Sequence, residues 1–236
     1  MLSSGMSDNH QILCNQKINL IRARMIAKSF GVAGAFDHVL RVGDTNNLPY
    51  HNPKHCTTVM RYAFEIAMLL RADRVAITDA EIRYLLCACL YHDFGHTGVN
   101  PDIDNIEIAV TNMRAGLPVL CETEFSEDEL STIEDIIRVT EFPFVHEPKT
   151  ILQQIIRDAD LMQPLDVDNI ETVLDGLRIE VNAKFGASMT RKQFCQKQIE
   201  FMNSVTFYTE PARMIYEQAK PYVIDCFAAV LFSDED

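Results

Sequence analysis

Five residues able to bind metal or move protons fall close together in the chain: His51, His55, His92, Asp93 and His96. Placed on a helix, His51 and His55 lie one turn apart and share a face with Val59, Tyr62, Ile66, Leu69 and Leu70, because spacings of three and four return to the same side. In the next apolar segment Ile82, Leu85, Leu86, Cys89 and Leu90 form a stripe that His92 and Asp93 continue. A carboxylate is thereby aimed into the core. Burying it ionised and alone would cost several kcal/mol, so Asp93 needs a proton, a cationic neighbour or a metal. Histidines converging on it make metal the economical answer. Imidazole nitrogen and carboxylate oxygen suit Zn, Fe or Mn, and a catalytic centre keeps positions open for water and substrate. His10 and His38 stand alone and read as ordinary residues.

The elements that must hold these groups are helical. Apolar residues recur at helical spacing over residues 12–30, 55–70, 80–91, 103–113, 127–139, 149–162, 167–181, 191–208 and 211–232, nine segments in all. Breakers separate them at 43–53, 95–101, 116–118, 143–148, Pro164 and Gly186. Strand-like alternation is nowhere sustained, the connections are short, and there is no linker, repeat or low-complexity tract. The pattern predicts an all-α fold, a single compact multi-helix bundle over 11–232, with a flexible tail at 1–10 and an acidic tail at 233–236.

Composition narrows the chemistry. With 236 residues, 47% hydrophobic and 23% charged, the chain can bury a sizeable core. No run approaches the roughly 20 apolar residues of a membrane span, and the polar opening lacks the order of a secretory signal, so no membrane partner and a cytoplasmic location are expected. Seven cysteines without a CxxC pair argue against a disulfide framework or a zinc knuckle. A net charge of -13 would repel nucleic acid, and a small phosphorylated substrate would need a local positive centre, for which a metal is the obvious candidate.

The order of His55, the pair His92-Asp93 and a distant Asp160 resembles the ligand set of the HD superfamily of metal-dependent phosphohydrolases. Asp160 is chosen because RDADLMQP, residues 157–164, is similar to that family's last ligand motif; helical phase alone leaves Asp158 and Asp160 equivalent. A closer resemblance is to the catalytic domain of class I 3',5'-cyclic nucleotide phosphodiesterases, through PYHNPKH (49–55), YHDFGHTGVN (91–100), IIRVTEFPFVH (136–146) and QIEF (198–201), in that family's order.

The resemblance implies hydrolysis of a cyclic nucleotide phosphodiester to the 5'-monophosphate. His51 would be the general acid that protonates the departing ribose oxygen. His55, His92, Asp93 and Asp160 would hold a tight metal (Zn, Fe or Mn), and Asp93 would also reach a second (Mg or Mn) through a bridging water, with His96 lining that second site. His51, Asn52, His96, Gln198 and Phe201 would face the nucleotide, the last two as a purine clamp. On its own pattern Gln198 shares a helical face with Phe194, Phe201, Val205 and Tyr208, which fits either a base clamp or a core glutamine bonded to backbone.

The chain departs from that family after Met113, where RAGLPVLCETEF replaces a Glu-His-His segment whose Glu is expected to support the acid; Glu107, Glu122 and Glu124 are candidate substitutes. Arg157 stands at a usual His position and Glu141 at a usual Asp. Two rival readings follow: an HD-type nucleotidase acting on a phosphomonoester, and a non-catalytic HD module that senses a ligand. Oligomeric state is not legible.

Overall fold

A computed structural model describes residues 4–43, 46–165 and 169–233, with side chains from residue 17 onward. Among the described residues the chain forms ten α-helices and no strand: α1 (Ser4–Ser29), α2 (Ala33–Val42), α3 (Pro53–Ala72), α4 (Asp79–Tyr91), α5 (Asp102–Leu120), α6 (Glu127–Arg138), α7 (Ile151–Asp160), α8 (Arg178–Phe185), α9 (Arg191–Ser204) and α10 (Glu210–Leu231). None of the described helices is long and apolar enough to cross a membrane.

Starts are written in the sequence. Asn52 caps α3 by accepting from the Lys54 and His55 amides, with Pro53 at the first helical position. Reciprocal capping boxes open α4 (Thr78 with Glu81), α6 (Ser126 with Glu129), α7 (Thr150 with Gln153) and α9 (Thr190 with Gln193).

α4 organises the larger core. Leu85 to Tyr91 are all fully buried, as a helix apolar on every side must be, and α2, α3, α5, α6 and α7 pack around it. Its C-terminal end therefore emerges inside the protein rather than at its surface. A second, smaller core joins Tyr50, Ile170, Val173, Leu174, Phe194, Cys195, Met202, Val223 and Phe227, drawn mainly from α9, α10 and the segment before α8.

Several boundaries differ from the periodic pattern. α2 was not expected; its apolar face of Ala35, Phe36 and Val39 is short and follows two glycines, but is fully buried. α5 runs on through Gly116 and Pro118, expected as a breaker. A Cβ on Gly116 would lie 2.4 Å from the Tyr91 hydroxyl, so that glycine serves close packing against α4, not a turn. Residues 4–10, expected as a tail, lie within α1. α9 stops at Ser204, which removes Val205 and Tyr208 from the helical face shared with Gln198. In the segment expected as 167–181, residues 167 and 168 lie outside the described residues; Thr172–Leu177 forms a π-helix and α8 continues to Phe185.

Candidate metal centre and cleft

His55 stands in the first turn of α3, His92 caps the end of α4 with Asp93 just beyond it, and Asp160 is the last residue of α7. These three ends converge. His55 Nε2 lies 3.2 Å from His92 Nε2, 3.2 Å from Asp93 Oδ2 and 3.0 Å from Asp160 Oδ1. His92 Nε2 lies 3.3 and 3.4 Å from the same two oxygens. Donor atoms at the corners of a tetrahedron with metal bonds of about 2.0–2.1 Å are separated by roughly 3.4 Å, so the spacing is that of a coordination shell.

The outer partners select the same atoms. His92 Nδ1 donates to the Cys89 carbonyl at 2.8 Å, and His55 Nδ1 pairs with Gln163 Oε1 at 2.5 Å. With both Nδ1 protons committed, each Nε2 turns a lone pair toward the two carboxylates, the arrangement that orients metal-binding imidazoles. His55 and His92 are 2% and 1% exposed. Burial opposes charge on them, but Asp160 and Asp93 outweigh it, pushing His55 up to about 9 and His92 well above its ordinary value. Burial would likewise raise Asp93 and Asp160, yet the facing histidines hold both well below the usual carboxylate range. Two carboxylates that draw protons onto two imidazoles this strongly form a pocket for a cation, and a divalent ion fits the donor set.

The neighbouring carboxylate takes a different task. Asp158 is fully buried and accepts from the Tyr208 and Thr209 amides and the Thr209 hydroxyl, at 2.8, 2.7 and 2.7 Å. It fastens the start of α10 to α7, and this resolves the ambiguity between Asp158 and Asp160 that helical phase leaves.

His51 precedes α3, in a turn, rather than sharing its face. Its Nδ1 lies 2.5 Å from Glu180 Oε2, while Glu180 Oε1 accepts from the Tyr50 and His51 amides at 2.6 and 3.1 Å. Burial raises the Glu180 carboxyl, but His51 and these amides hold it below its ordinary value. None of the expected substitutes does this: Glu107 pairs with Arg138, and Glu122 and Glu124 are exposed. Glu180 was missed because only the fold brings α8 beside residues 49–51. Gly176 permits the approach, since a Cβ there would meet the Pro49 carbonyl oxygen at 2.9 Å.

His96 stacks on His51 with ring centres 4.2 Å apart. Gly95, at φ +77, turns the chain back after Asp93 to place it. The Gly98 amide donates to His96 Nδ1, and its Nε2 lies 3.0 Å from Asn105 Nδ2 and 3.6 Å from Asp102 Oδ1. The Asn52 side-chain oxygen accepts from the Lys54 and His55 amides at the start of α3, and its side-chain nitrogen donates to the Leu48 and Pro49 carbonyls. Its side chain is thus spent on the backbone that carries His51 and His55. His38 packs against Phe94 at 5.7 Å; the side chain of His10 lies outside the described residues.

A cleft of about 720 Å³ opens over the centre. Gln198 and Phe201 line it together with His51, His96, Asp160 and Glu180. The segment from Thr140 to Phe144 forms another part of its wall, with Phe142 edge-on to Phe201 at 6.4 Å. Buried Arg157 holds this wall from behind, donating to the Val139 and His146 carbonyls and stacking on Phe144 at 3.8 Å. Glu141, also expected to differ from the family, lines the same wall.

The sequence model of the 3'5'-cyclic nucleotide phosphodiesterase family matches residues 50–106, which hold His51, Asn52, His55, His92, Asp93 and His96. No curated protein matches the chain. The fold is similar to the phosphodiesterase domain of the RhoPDE fusion protein from the choanoflagellate Salpingoeca rosetta, at a TM-score of 0.58 and 17% identity over 98% of this chain and 90% of that one. A second structure, of the phosphodiesterase domain of Salpingoeca rosetta rhodopsin phosphodiesterase, gives 0.55 and 17% over 90% and 84%. The match to the family model thus covers 57 of the 236 residues, and the likeness to the two phosphodiesterase domains is one of fold.

Proposed function

We propose that this phosphodiesterase-like domain hydrolyses a 3',5'-cyclic nucleotide to the 5'-monophosphate. The observation that carries the reading is the pairing of His51 with Glu180 beside a four-donor centre, in a cleft lined by Gln198 and Phe201.

Opening a cyclic phosphodiester requires charge neutralisation at the phosphoryl oxygens, a nucleophile stronger than water, and a proton for the leaving alkoxide. His55, His92, Asp93 and Asp160 would hold a divalent ion (Zn, Fe or Mn), and Asp93 would also reach a second (Mg or Mn); when bound, these would supply the first two requirements by their charge and by lowering the pKa of water. The proton is the task of His51. Because Nδ1 is committed to Glu180, Nε2 is the ring nitrogen left to face the leaving oxygen, and the carboxylate stabilises the imidazolium that donates. His96, flat against His51, limits the ring's freedom and lines the phosphate side. Gln198 hydrogen-bonds the base and Phe201 stacks on it, while Asn52 acts by positioning rather than by contact.

The test is a hydrolysis screen of metal-loaded protein over cyclic mononucleotides, cyclic dinucleotides and nucleoside monophosphates, with metal content measured on the same preparation. Turnover of cyclic mononucleotides is expected. Activity confined to monophosphates would establish the nucleotidase reading instead, and a metal-free, inert protein would establish the ligand-sensing module.

A further inference from the structure

The cleft is lined by Asp102, Glu141, Asp160 and Glu180, and the chain bears a net charge of -13, so an approaching phosphate ester meets a repulsive field. Against these acids the described lining contains a single lysine or arginine, Lys184. It stands on α8 one turn after Glu180, so the helix that supports His51 also presents this ammonium to the same cavity. Glu and Lys at this spacing commonly pair with each other. Here they part: Glu180 turns to His51, and Lys184 reaches across to the first turn of α5, where Nζ lies 3.9 Å from Asp102 Oδ1.

That contact is loose. Asp102 already accepts from the Phe142 amide at 2.6 Å and sits 3.6 Å from His96 Nε2, so the ammonium shares a carboxylate that is bonded elsewhere. The Lys184 side chain is 24% exposed: screened enough for its charge to count, open enough for its flexible stem to swing. His96, in turn, stacks on His51, which places Asp102 and Lys184 at the edge of the ground where the phosphoryl group must sit.

We infer that Lys184 is the protein's own anion-binding residue in this cleft, leaving Asp102 to contact a phosphoryl oxygen of the bound ester. This assignment rests on the hydrolase reading given above for what fills the cleft. A cation held by His55, His92, Asp93 and Asp160 would neutralise part of the phosphate's charge, and Lys184 neutralises the rest from the α8 side. Asp102 holds the ammonium in place when the cleft is empty, and the exchange of one anionic partner for another keeps the charge satisfied throughout.

Inorganic phosphate titrated calorimetrically into the metal-loaded full chain tests this directly. Removing a charge-assisted hydrogen bond weakens binding by about tenfold or more, so Lys184→Met should show that loss, whereas Lys184→Arg should stay within about threefold of wild type. Asp102→Asn, which frees the ammonium, should bind phosphate at least as tightly as wild type. Equal affinity in Lys184→Met and wild type overturns the assignment. So does a loss in Asp102→Asn as large as in Lys184→Met, because the lysine would then serve only to brace Asp102. A chain that binds phosphate through Lys184 yet hydrolyses no phosphoester overturns the hydrolase reading and leaves the anion site standing.

Discussion

Asp158 and Asp160 show how much partners decide at the scale of single residues. Both are carboxylates near the end of one helix, two positions apart, and their phase in the sequence is equally inward. One faces two imidazoles and the other two backbone amides and a hydroxyl. Asp160→Asn should therefore lose the tight metal while unfolding near the temperature of metal-free wild type. Asp158→Ala should keep full metal stoichiometry and lose about 2–4 kcal/mol of stability, since it strands buried donors. Metal analysis with thermal unfolding on both variants separates the roles; equal metal loss in the two would refute them. Glu180 is the residue the sequence hid, because its partner lies 129 positions away. Glu180→Gln should lower kcat by about 10- to 100-fold with metal content and KM unchanged, as expected for weakened general-acid catalysis. Its pH signature follows from sign: the folded carboxyl is held below its ordinary value of 4.5, so its contribution to stability is complete above that pH and is lost as pH falls through the lower folded value. The stability gap between wild type and Glu180→Gln should accordingly shrink below about pH 4.5, and a gap independent of pH would contradict the pairing.

Elements were legible where they announce themselves locally. The apolar periods of α3, α4, α6 and α7 are present in the sequence as spacing alone. What failed was decided by neighbours: Gly116 reads as a breaker until Tyr91 is seen lying over it, and α2 is too short to show its period. The π-helix Thr172–Leu177 is the most consequential case, because a hydrogen-bond register widened by one residue has no apolar period of its own. It sits where residues 49 and 50 cross Gly176, immediately before the helix that carries Glu180 and Lys184. Gly176→Ala would place a methyl 2.9 Å from the Pro49 carbonyl oxygen and 3.4 Å from Tyr50 Cβ, neither of which is a flexible chain end. We expect a cost of about 1–3 kcal/mol from overpacking, together with a fall in kcat like that of Glu180→Gln and an unchanged metal content. Near-wild-type turnover by a destabilised Gly176→Ala would show that His51 does not depend on this crossing.

The whole molecule sets the cleft between two packing units. His55, His92, Asp93 and Asp160 all come from the ends of α3, α4 and α7, within the larger core; Glu180, Lys184, Gln198 and Phe201 belong to α8 and α9, beside the smaller one. His51 joins them, since it follows Tyr50 of the smaller core and precedes α3. A metal and a nucleotide should therefore stabilise different parts of the chain. Metal at about 100 times its Kd adds roughly 2.7 kcal/mol to whatever it binds, and its ligands confine that gain to the larger core. On the proposed function a nucleotide would also touch α8 and α9, whose residues line the cleft, and so would tie the two units together. Hydrogen exchange measured in three states, metal-free, metal-loaded, and metal-loaded with a nucleoside 5'-monophosphate, should show protection arriving in that order. Amides of α3, α4 and α7 slow with metal; those of α8 and α9 slow only when the nucleotide is added. Protection of α8 and α9 by metal alone would mean that the two cores already act as one unit, and protection confined to the larger core with nucleotide present would remove α8 and α9 from the binding site.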